Sequence, residues 1–211
     1  MLGKRGVGRG SSGLFINLEG IDAVGKRTQS LVLKSWLSSK GLSIRMVSFP
    51  DYSTIIGKEI RRFLDGARSY PPEARAMLYA ANRWERKAEL EEMLAKTDAV
   101  IVDRYTGSNL AYGVSNGLPL EWLMNLEVGL PKPDLVLLFD APATALVTRR
   151  GFNKDTYEKN LDLQERTRKE YLKLAKKFGW EVIDATQGRG ETSQAVASVV
   201  SKAFGDRGRT V

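Results

Sequence analysis

Short apolar segments alternate with longer amphipathic ones along this chain from residue 14 onward. The short segments are rich in β-branched and aromatic residues and are predicted to be strands; they are 14–18, 43–49, 98–103, 134–140 and 180–185. Segments with helical periodicity separate them; these are 25–39, 54–65, 72–96, two stretches before residue 129, a helix from Pro142 that breaks at Gly151, 155–178 and 191–204. Apolar strands separated by helices predict an α/β fold, with a parallel five-stranded sheet covered by helices on both sides.

The domain organisation follows from the same pattern, because no internal repeat and no linker divides it. We predict one domain over residues 14–204, with tails at 1–13 and 205–211. The first tail is rich in Gly and Ser, has little to bury and is expected to be disordered. It also contributes three of the positive charges behind the net charge of +8. We therefore expect solvated basic ends and no nucleic-acid partner.

The residue types that are absent narrow the possible chemistry. The sequence has no cysteine and no histidine, which excludes a disulfide framework and the usual zinc sites. Acid–base or metal chemistry must therefore use carboxylates, Lys, Arg, Tyr or hydroxyl groups. No apolar run approaches the length of a membrane span, and no secretory signal follows the start. We expect a cytoplasmic protein without a membrane partner.

The segment LEGIDAVGKRTQ (18–29) lies between the first predicted strand and the first predicted helix. Its spacing G-x-x-x-x-G-K is that of a phosphate-binding loop, in which backbone N–H groups and a helix N-terminus face the phosphates and the lysine reaches the β- and γ-phosphates. The next residue is ordinarily Ser or Thr, but here it is Arg27. The alternative, a turn that merely contains Gly and Lys, is disfavoured by the strand and helix on either side. The candidate nucleotide-binding residues are Gly20, Ala23, Val24, Gly25, Lys26, Arg27 and Thr28.

A second candidate site lies where the apolar strand 98–103 ends in Asp103, followed by Arg104. An acidic residue at that end is typical of the Walker-B position beside a bound magnesium ion. Ligands of open parallel sheets bind at the carboxyl ends of strands. An acid and an arginine there can serve a metal and a phosphate. The alternative interpretation is a surface ion pair.

A third candidate is the helix face shared by Tyr79 and Arg83, which are four residues apart. The tyrosine ring can stack on a base while the guanidinium donates to the carbonyl edge of that base. A core tyrosine beside a solvated arginine is the alternative.

A fourth candidate is RRGFNKDTYEKNLDLQERT (149–167), where two arginines precede a polar stretch broken by glycine. The pattern suits a mobile lid, because Arg149 and Arg150 can neutralise charge on a transferring phosphoryl group. A basic solvated turn is the alternative.

Together, these segments resemble those of thymidylate kinases. The resemblance extends from Leu14 to about Trp180, and its most specific pieces are DRYTGSNLAY (103–112) and GLPKPD (129–134). It implies a three-layer P-loop kinase fold with a short lid. Arg27 then matches a known variant, since the actinobacterial branch of the family carries the same Gly-Lys-Arg-Thr.

The resemblance implies transfer of the γ-phosphoryl group of ATP to dTMP, giving dTDP and ADP in dTTP biosynthesis. It also implies Mg2+ and a homodimer. The catalytic residues it implies are Asp22, Lys26 and Arg104, to which the lid pattern adds Arg149 and Arg150. With the acid at the strand end, the candidate metal-binding residues are Asp22, Asp103 and Glu158.

The acceptor pocket is assigned by the same resemblance. Arg104 is expected to hold the acceptor phosphate, Arg83 to contact a thymine carbonyl with Tyr79 stacked on the ring, and Tyr112 to crowd the sugar where a ribonucleotide has its 2′-hydroxyl. A cis peptide is expected before Pro50. The implied acceptor-binding residues are Asp22, Phe49, Tyr52, Tyr79, Arg83, Arg104, Ser108, Asn109, Tyr112, Tyr157 and Glu158.

One departure from the family concerns the transition-state cation. Many members carry an arginine directly after the loop aspartate, where this chain has Ala23. We expect the charge to come from Arg149 or Arg150, with Arg27 and Lys154 as alternatives. Two other functions stay open: another nucleoside monophosphate kinase of the same fold, and a nucleotide-binding protein that has lost catalysis. The presence of all the catalytic residues in the phosphate loop and at the strand end favours an active enzyme.

Overall fold

The computed structural model describes residues 13–147, 160–208 and 211. These residues form one sheet with the strand order β2-β3-β1-β4-β5, in which all four pairings are parallel. The strands are β1 (Leu14–Glu19), β2 (Ile44–Ser48), β3 (Ala99–Asp103), β4 (Leu135–Asp140) and β5 (Glu181–Asp184). The predicted α/β fold with a parallel five-stranded sheet is therefore confirmed.

The helices in the described part of the chain cover both faces of this sheet. They are α1 (Lys26–Ser39), α2 (Ile55–Leu64), α3 (Pro72–Glu85), α4 (Lys87–Lys96), α5 (Thr106–Ser115), α6 (Leu120–Leu126), α7 (Ala143–Leu146), α8 (Leu161–Phe178) and α9 (Arg189–Gly205). No helix among the described residues has the length and apolar character needed to cross a membrane.

The sheet is apolar on both faces because helices cover both. All six residues of β1 are buried. Leu14 and Ile16 pack in one core cluster, whereas Phe15, between them, packs in a second cluster with Val100 and Leu90 of α4. Burial of each such side chain contributes about 1.5–3 kcal/mol. This two-sided burial explains the continuous apolar runs in the sequence.

Register brings the carboxyl ends of the central strands to one level. Leu18 of β1 lies opposite Asp103, the last residue of β3, and Glu19 lies opposite Leu138 of β4. The loop after β1 and the segment after β3 therefore leave the sheet side by side, and the predicted site residues on them lie close together.

Two predicted helices begin or end elsewhere than expected. The helix predicted over 72–96 is interrupted at Arg86, which has φ −102° and ψ 3° and separates α3 from α4. The break turns α4 so that Leu90 packs on β3. The helix predicted to start at 155 instead begins at Leu161, because Asn160 is an extended N-cap whose side chain accepts a hydrogen bond from the Leu163 N–H at 2.9 Å.

The C-terminal end, predicted as a tail from 205, contacts the body in the residues described. Helix α9 ends at Gly205, Arg207 forms an ion pair with Asp134, and Val211 packs against the main core cluster. The predicted disordered tail at 1–13 lies outside the described residues except for Gly13, whose N–H donates to the carbonyl oxygen of Leu94. The first part of the predicted lid stretch (149–167), up to residue 159, also lies outside them, with Arg149, Arg150, Lys154, Tyr157 and Glu158.

Candidate active site

The loop after β1 follows the tight path of a phosphate-binding loop because of its glycines. Gly20 has φ +139°, and a Cβ there would lie 2.5 Å from the carbonyl oxygen of Phe139 on β4. Only glycine fits that position. Gly25, with φ +106°, directly precedes Lys26, the first residue of α1. The loop therefore ends on a helix N-terminus, where backbone N–H groups favour anions.

A cavity beside this loop, called here the loop pocket, contains all of the predicted nucleotide-binding residues except Gly20. Arg27 and Thr28 are exposed on its wall. Residues from β3 and from the segment after β5 complete it. Its lining is Ala23, Val24, Gly25, Lys26, Arg27, Thr28, Gln29, Asp103, Arg104, Ala185, Gln187, Arg189 and Thr192.

Lys26 is buried inside the curve of the loop. Its Nζ donates hydrogen bonds to the carbonyl oxygens of Gly20 at 2.8 Å and Ile21 at 2.7 Å. Burial, with the nearby charge of Arg104, lowers the pKa of Lys26 from 10.5 to about 8, although Asp103 and other carboxylates act in the opposite direction. At neutral pH the ammonium group is therefore mostly charged.

Arg104 lies between the loop and β3 in an uncommon backbone conformation. Its φ is +63°, which few residues other than glycine adopt. The guanidinium forms an ion pair with Asp22, and its Nη1 donates to the carbonyl oxygen of Gly20 at 3.0 Å. The structure thus brings together two predicted site residues, the loop aspartate and the arginine at the strand end.

Asp22 is held ionised by its neighbours. Its Oδ2 accepts from the Tyr112 hydroxyl at 2.7 Å and from the Gln164 side-chain amide at 2.8 Å. Burial acts to raise the pKa of Asp22. The charges of Arg104 and Lys26, together with these hydrogen bonds, lower it below the ordinary value. The carboxylate therefore remains charged at neutral pH.

A second cavity, called here the α3 pocket, collects every predicted acceptor-binding residue that the structure describes. Residues from α3 and α5 face each other across it, with the segment after β2 at its mouth. Its predicted members are Asp22, Phe49, Tyr52, Tyr79, Arg83, Arg104, Ser108, Asn109 and Tyr112. The Phe49–Pro50 peptide bond is cis, as predicted.

Arg83 is fixed in this pocket by a partner that the sequence did not reveal. It forms an ion pair with Glu127 just after α6, and side-chain exposure is 2% for the arginine and 8% for the glutamate. The Asn109 amide donates to the same carboxylate at 2.7 Å. Glu127 therefore orients both polar side chains of the pocket wall. No signal in the sequence marks it beyond its place just before the GLPKPD segment.

Other site residues were also missed. Glu19 and Gln164 are fully buried and hydrogen-bonded to predicted site residues. Arg75, one turn before Tyr79 on α3, lines the α3 pocket. Gln187 and Arg189 line the loop pocket. Only Arg75 had a local signal, because it shares a helix face with Tyr79 and Arg83.

Comparison with known proteins identifies the family to which a chain with these two pockets belongs. A family model described as thymidylate kinase matches residues 18–196. The chain belongs to the thymidylate kinase family. The thymidylate kinase of Dictyostelium discoideum is 33% identical over 193 residues, covering 91% of this chain and 86% of that protein. The thymidylate kinase of Schizosaccharomyces pombe is 32% identical over 194 residues, covering 90% and 92%.

A solved structure agrees with the sequence relatives. The thymidylate kinase of Candida albicans matches with a TM-score of 0.81 and 27% identity, covering 90% of this chain and 92% of that one. The predicted family, P-loop kinase fold and enzyme class are therefore confirmed. Membership in the thymidylate kinase family implies ATP as the phosphoryl donor.

Proposed function

We propose that this chain transfers the γ-phosphoryl group of ATP to dTMP, giving dTDP and ADP. The observation that carries the proposal is Arg104, which lines both the loop pocket and the α3 pocket. A donor in the first pocket and an acceptor in the second meet at this guanidinium. Positioning and charge stabilisation at such a point are the main catalytic means of kinases.

The donor side rests on Lys26 and the loop backbone. The ammonium group is held inside the loop by two carbonyl oxygens, so it lies where the loop N–H groups also converge on an anion. It binds the β- and γ-phosphates and stabilises the charge that develops between them. Arg27 and Thr28, exposed on the same wall, supply further phosphate contacts.

The acceptor side uses the α3 pocket. The Tyr79 ring stacks on the thymine, Arg83 donates to a carbonyl oxygen, and Asn109 donates to or accepts from the same edge of the base. Arg104 binds the acceptor phosphate. Tyr112 is held by its hydrogen bond to Asp22 and excludes a 2′-hydroxyl from the sugar position.

The Mg2+ that accompanies ATP fits the carboxylates between the pockets. Asp103 has a buried oxygen without a hydrogen-bond partner among the described residues, and such an oxygen suits a metal-bound water. The described residues hold no group of three or more acidic side chains placed to bind a metal ion. Asp103, Asp22 and Glu158 would therefore hold the ion, with phosphate oxygens and water as its other ligands. When bound, the ion would supply neutralising charge to the phosphates.

The transition-state cation is assigned to Arg149 and Arg150. The position that serves this purpose in many relatives is Ala23, which supplies no charge. Arg27 and Lys154 are the alternatives. Two arginines that approach only the transferring group contribute to kcat more than to acceptor affinity.

A homodimer is also part of the proposal. Met77 and Trp84 lie seven residues apart on α3 and are 48% and 39% exposed; Met124 and Val128, on and after α6, are 38% and 70% exposed. The Trp84 indole N–H donates to the carbonyl oxygen of Leu126, so the two groups adjoin. Adjoining exposed apolar side chains are typical of subunit interfaces. The cytoplasmic location stays a prediction from the composition.

A coupled ADP-release assay tests the function. We expect turnover with dTMP, about tenfold weaker use of dUMP for the loss of one methyl group, and much weaker use of dGMP and AMP. Equal use of AMP and dTMP would contradict the acceptor assignment. Binding of ATP without turnover of any acceptor would instead favour the inactive nucleotide-binding protein.

A further inference from the structure

Glu19, the last residue of β1, is a fully buried carboxylate directly behind the site. Its relative exposure is 0%. Oε1 accepts a hydrogen bond from the Tyr105 backbone N–H at 2.8 Å, and Oε2 accepts from the Ser108 hydroxyl at 2.7 Å and the Tyr171 hydroxyl at 3.0 Å. A carboxylate that accepts several charge-assisted hydrogen bonds is a strong anchor in a buried place.

One of these bonds, together with a main-chain bond to Leu18, holds the backbone on both sides of Arg104. The Arg104 N–H donates to the carbonyl oxygen of Leu18 at 2.9 Å, and the next N–H, of Tyr105, donates to Glu19. Leu18 and Glu19 of β1 therefore hold the backbone N–H groups of Arg104 and of the next residue, on either side of the Arg104 Cα, where φ is +63°. A non-glycine residue keeps such a conformation only when its surroundings fix it.

The Ser108 bond extends to the Arg104 side chain. The Ser108 hydroxyl donates to Glu19 and accepts from Arg104 Nη1 at 3.2 Å. The guanidinium thus has three fixed partners: Asp22 at Nη2, and the Gly20 carbonyl oxygen and Ser108 at Nη1. The chain from Glu19 through Ser108 therefore holds the Nη1 side of the guanidinium.

Gly107 shows how closely the segment packs on this carboxylate. A Cβ at that position would lie 2.9 Å from Glu19 Oε1 and 2.9 Å from the Trp180 ring. The segment from 104 to 108 therefore approaches Glu19 as far as the backbone allows, and glycine is required there by space.

We infer that Glu19 is a positioning residue for Arg104. Its carboxylate fixes the backbone after Arg104 and, through Ser108, the guanidinium, so that this cation is oriented before the acceptor phosphate binds. The inference rests on the proposed role of Arg104 at that phosphate. Preorganised charge is favourable because it needs no rearrangement at the moment of reaction.

Glu19→Gln tests this, with dTMP and thymidine as paired probes. Glutamine keeps one oxygen for the Tyr105 N–H, but its NH2 group cannot accept from Ser108. Loss of hydrogen bonds to a charged group predicts a Kd for dTMP raised about tenfold. Thymidine lacks the phosphate that Arg104 binds, so its Kd should change less than about twofold. Isothermal titration calorimetry measures both values, and the KM for ATP should stay unchanged.

Ser108→Ala keeps the test decisive if Glu19→Gln folds poorly, and a double variant tests the coupling to Arg104 where Glu19→Gln folds. Ser108→Ala cuts the link to the guanidinium and leaves the Tyr105 contact, and it should show the same selective loss for dTMP to a smaller extent. In an Arg104→Ala background, Glu19→Gln should add less than about twofold to the Kd for dTMP, because interacting residues are not additive.

Equal weakening of dTMP and thymidine by Glu19→Gln would show a merely structural role and overturn the inference. Full additivity with Arg104→Ala would do the same. A failure of the proposed function gives a different result, since the unaltered chain would then bind dTMP no better than thymidine.

Discussion

The loop pocket is shaped mainly by main chain, whereas the α3 pocket is shaped by buried side chains that hold one another. Around the loop, Gly20 and Gly25 set the path, and Lys26 is held by two carbonyl oxygens. In the α3 pocket, Glu127 fixes Arg83 and Asn109 by ion pair and hydrogen bond. A site made of backbone depends on few side chains, and a site made of a network depends on all its members.

This difference accounts for Arg27 in place of the usual hydroxyl residue. Arg27 is exposed on the wall of the loop pocket, so a change there leaves the backbone path and the helix N-terminus as they are. The α3 pocket has no comparable freedom, because a change at Glu127 leaves a buried guanidinium without its counter-ion. The donor side should therefore be sensitive at one side chain, and the acceptor side at several.

The largest expected effect is that of Lys26→Ala. Removal of the loop cation withdraws charge stabilisation from the transition state, which should lower kcat roughly 10³-fold or more. ADP-release kinetics measure the loss, and circular dichroism with dTMP titration shows that the fold and the α3 pocket are intact. Full activity in a folded variant would refute the loop pocket as the donor site.

Glu127→Ala tests the network on the acceptor side. The change leaves Arg83 buried with an uncompensated charge, so the free energy of unfolding should fall by about 3 kcal/mol, and the KM for dTMP should rise while that for ATP does not. Urea denaturation and steady-state kinetics provide the measurements. The matched control is Glu121→Ala, which removes an exposed glutamate on α6. Its free energy of unfolding should stay within about 0.5 kcal/mol of that of the unaltered chain. Equal effects of Glu127→Ala and Glu121→Ala on stability and on the KM for dTMP would contradict the proposed role of Glu127 in fixing Arg83 and Asn109.

The pH dependence of kcat/KM for ATP tests whether Lys26 must be charged for activity. With its pKa at about 8, the amine loses its charge as pH rises through that value, so kcat/KM for ATP should fall about tenfold between pH 7 and pH 9. Lys26→Arg, which keeps its charge, is expected to lack this fall. Stability should change with the opposite sign, since between pH 8 and 10.5 the folded state binds fewer protons at Lys26 than the unfolded chain and gains stability as pH rises.

Tyr112→Ala should reduce discrimination between dTMP and its ribonucleotide counterpart. Loss of the ring opens the position of the 2′-hydroxyl, and the ratio of kcat/KM for the two acceptors should fall about fivefold. Kinetics with both acceptors measure it. Tyr112→Phe separates the ring from its hydrogen bond to Asp22, since it keeps the steric exclusion and should keep most of the discrimination.

The smallest effect is expected from a chain that starts at Gly13. The Gly13 N–H donates to the carbonyl oxygen of Leu94 at 2.6 Å, so this chain keeps the first contact of the described body. Its kcat should stay within about twofold of the full chain. A large fall would show that residues 1–12 contribute to the site and would contradict the predicted domain boundary.

Features that depend on local pattern could be predicted from the sequence. The strands, the glycine loop and the acid at the end of β3 each depend on residues adjacent in sequence. Parallel pairing then brings the carboxyl ends of the strands together. The N-cap at Asn160 was also local, yet the charged periodicity around it suggested a helix that continues through this residue. The Asn160 side chain instead accepts a hydrogen bond from the Leu163 N–H, one of the first helical N–H groups, so α8 begins at Leu161.

Features that depend on packing between distant elements could not be predicted. Glu127 contacts Arg83 only because α6 packs on α3, 44 residues away in sequence. Gln164 contacts Asp22 across 142 residues. The break at Arg86 likewise depends on how α4 covers β3. A glutamate just after a helix, or a glutamine within one, gives no sign of which cavity it will face.

The parallel sheet also gives the molecule two different ends, one with the pockets at the carboxyl ends of the strands and one at their amino ends. Every strand points its carboxyl end toward the pockets, so the turns that enter the strands lie at the far side. Gly41, before β2, and Gly179, before β5, are exposed, and nothing lies within 4 Å of where a side chain would begin. Peptide tags, dyes or surface linkers attached at these turns extend away from the nucleotides.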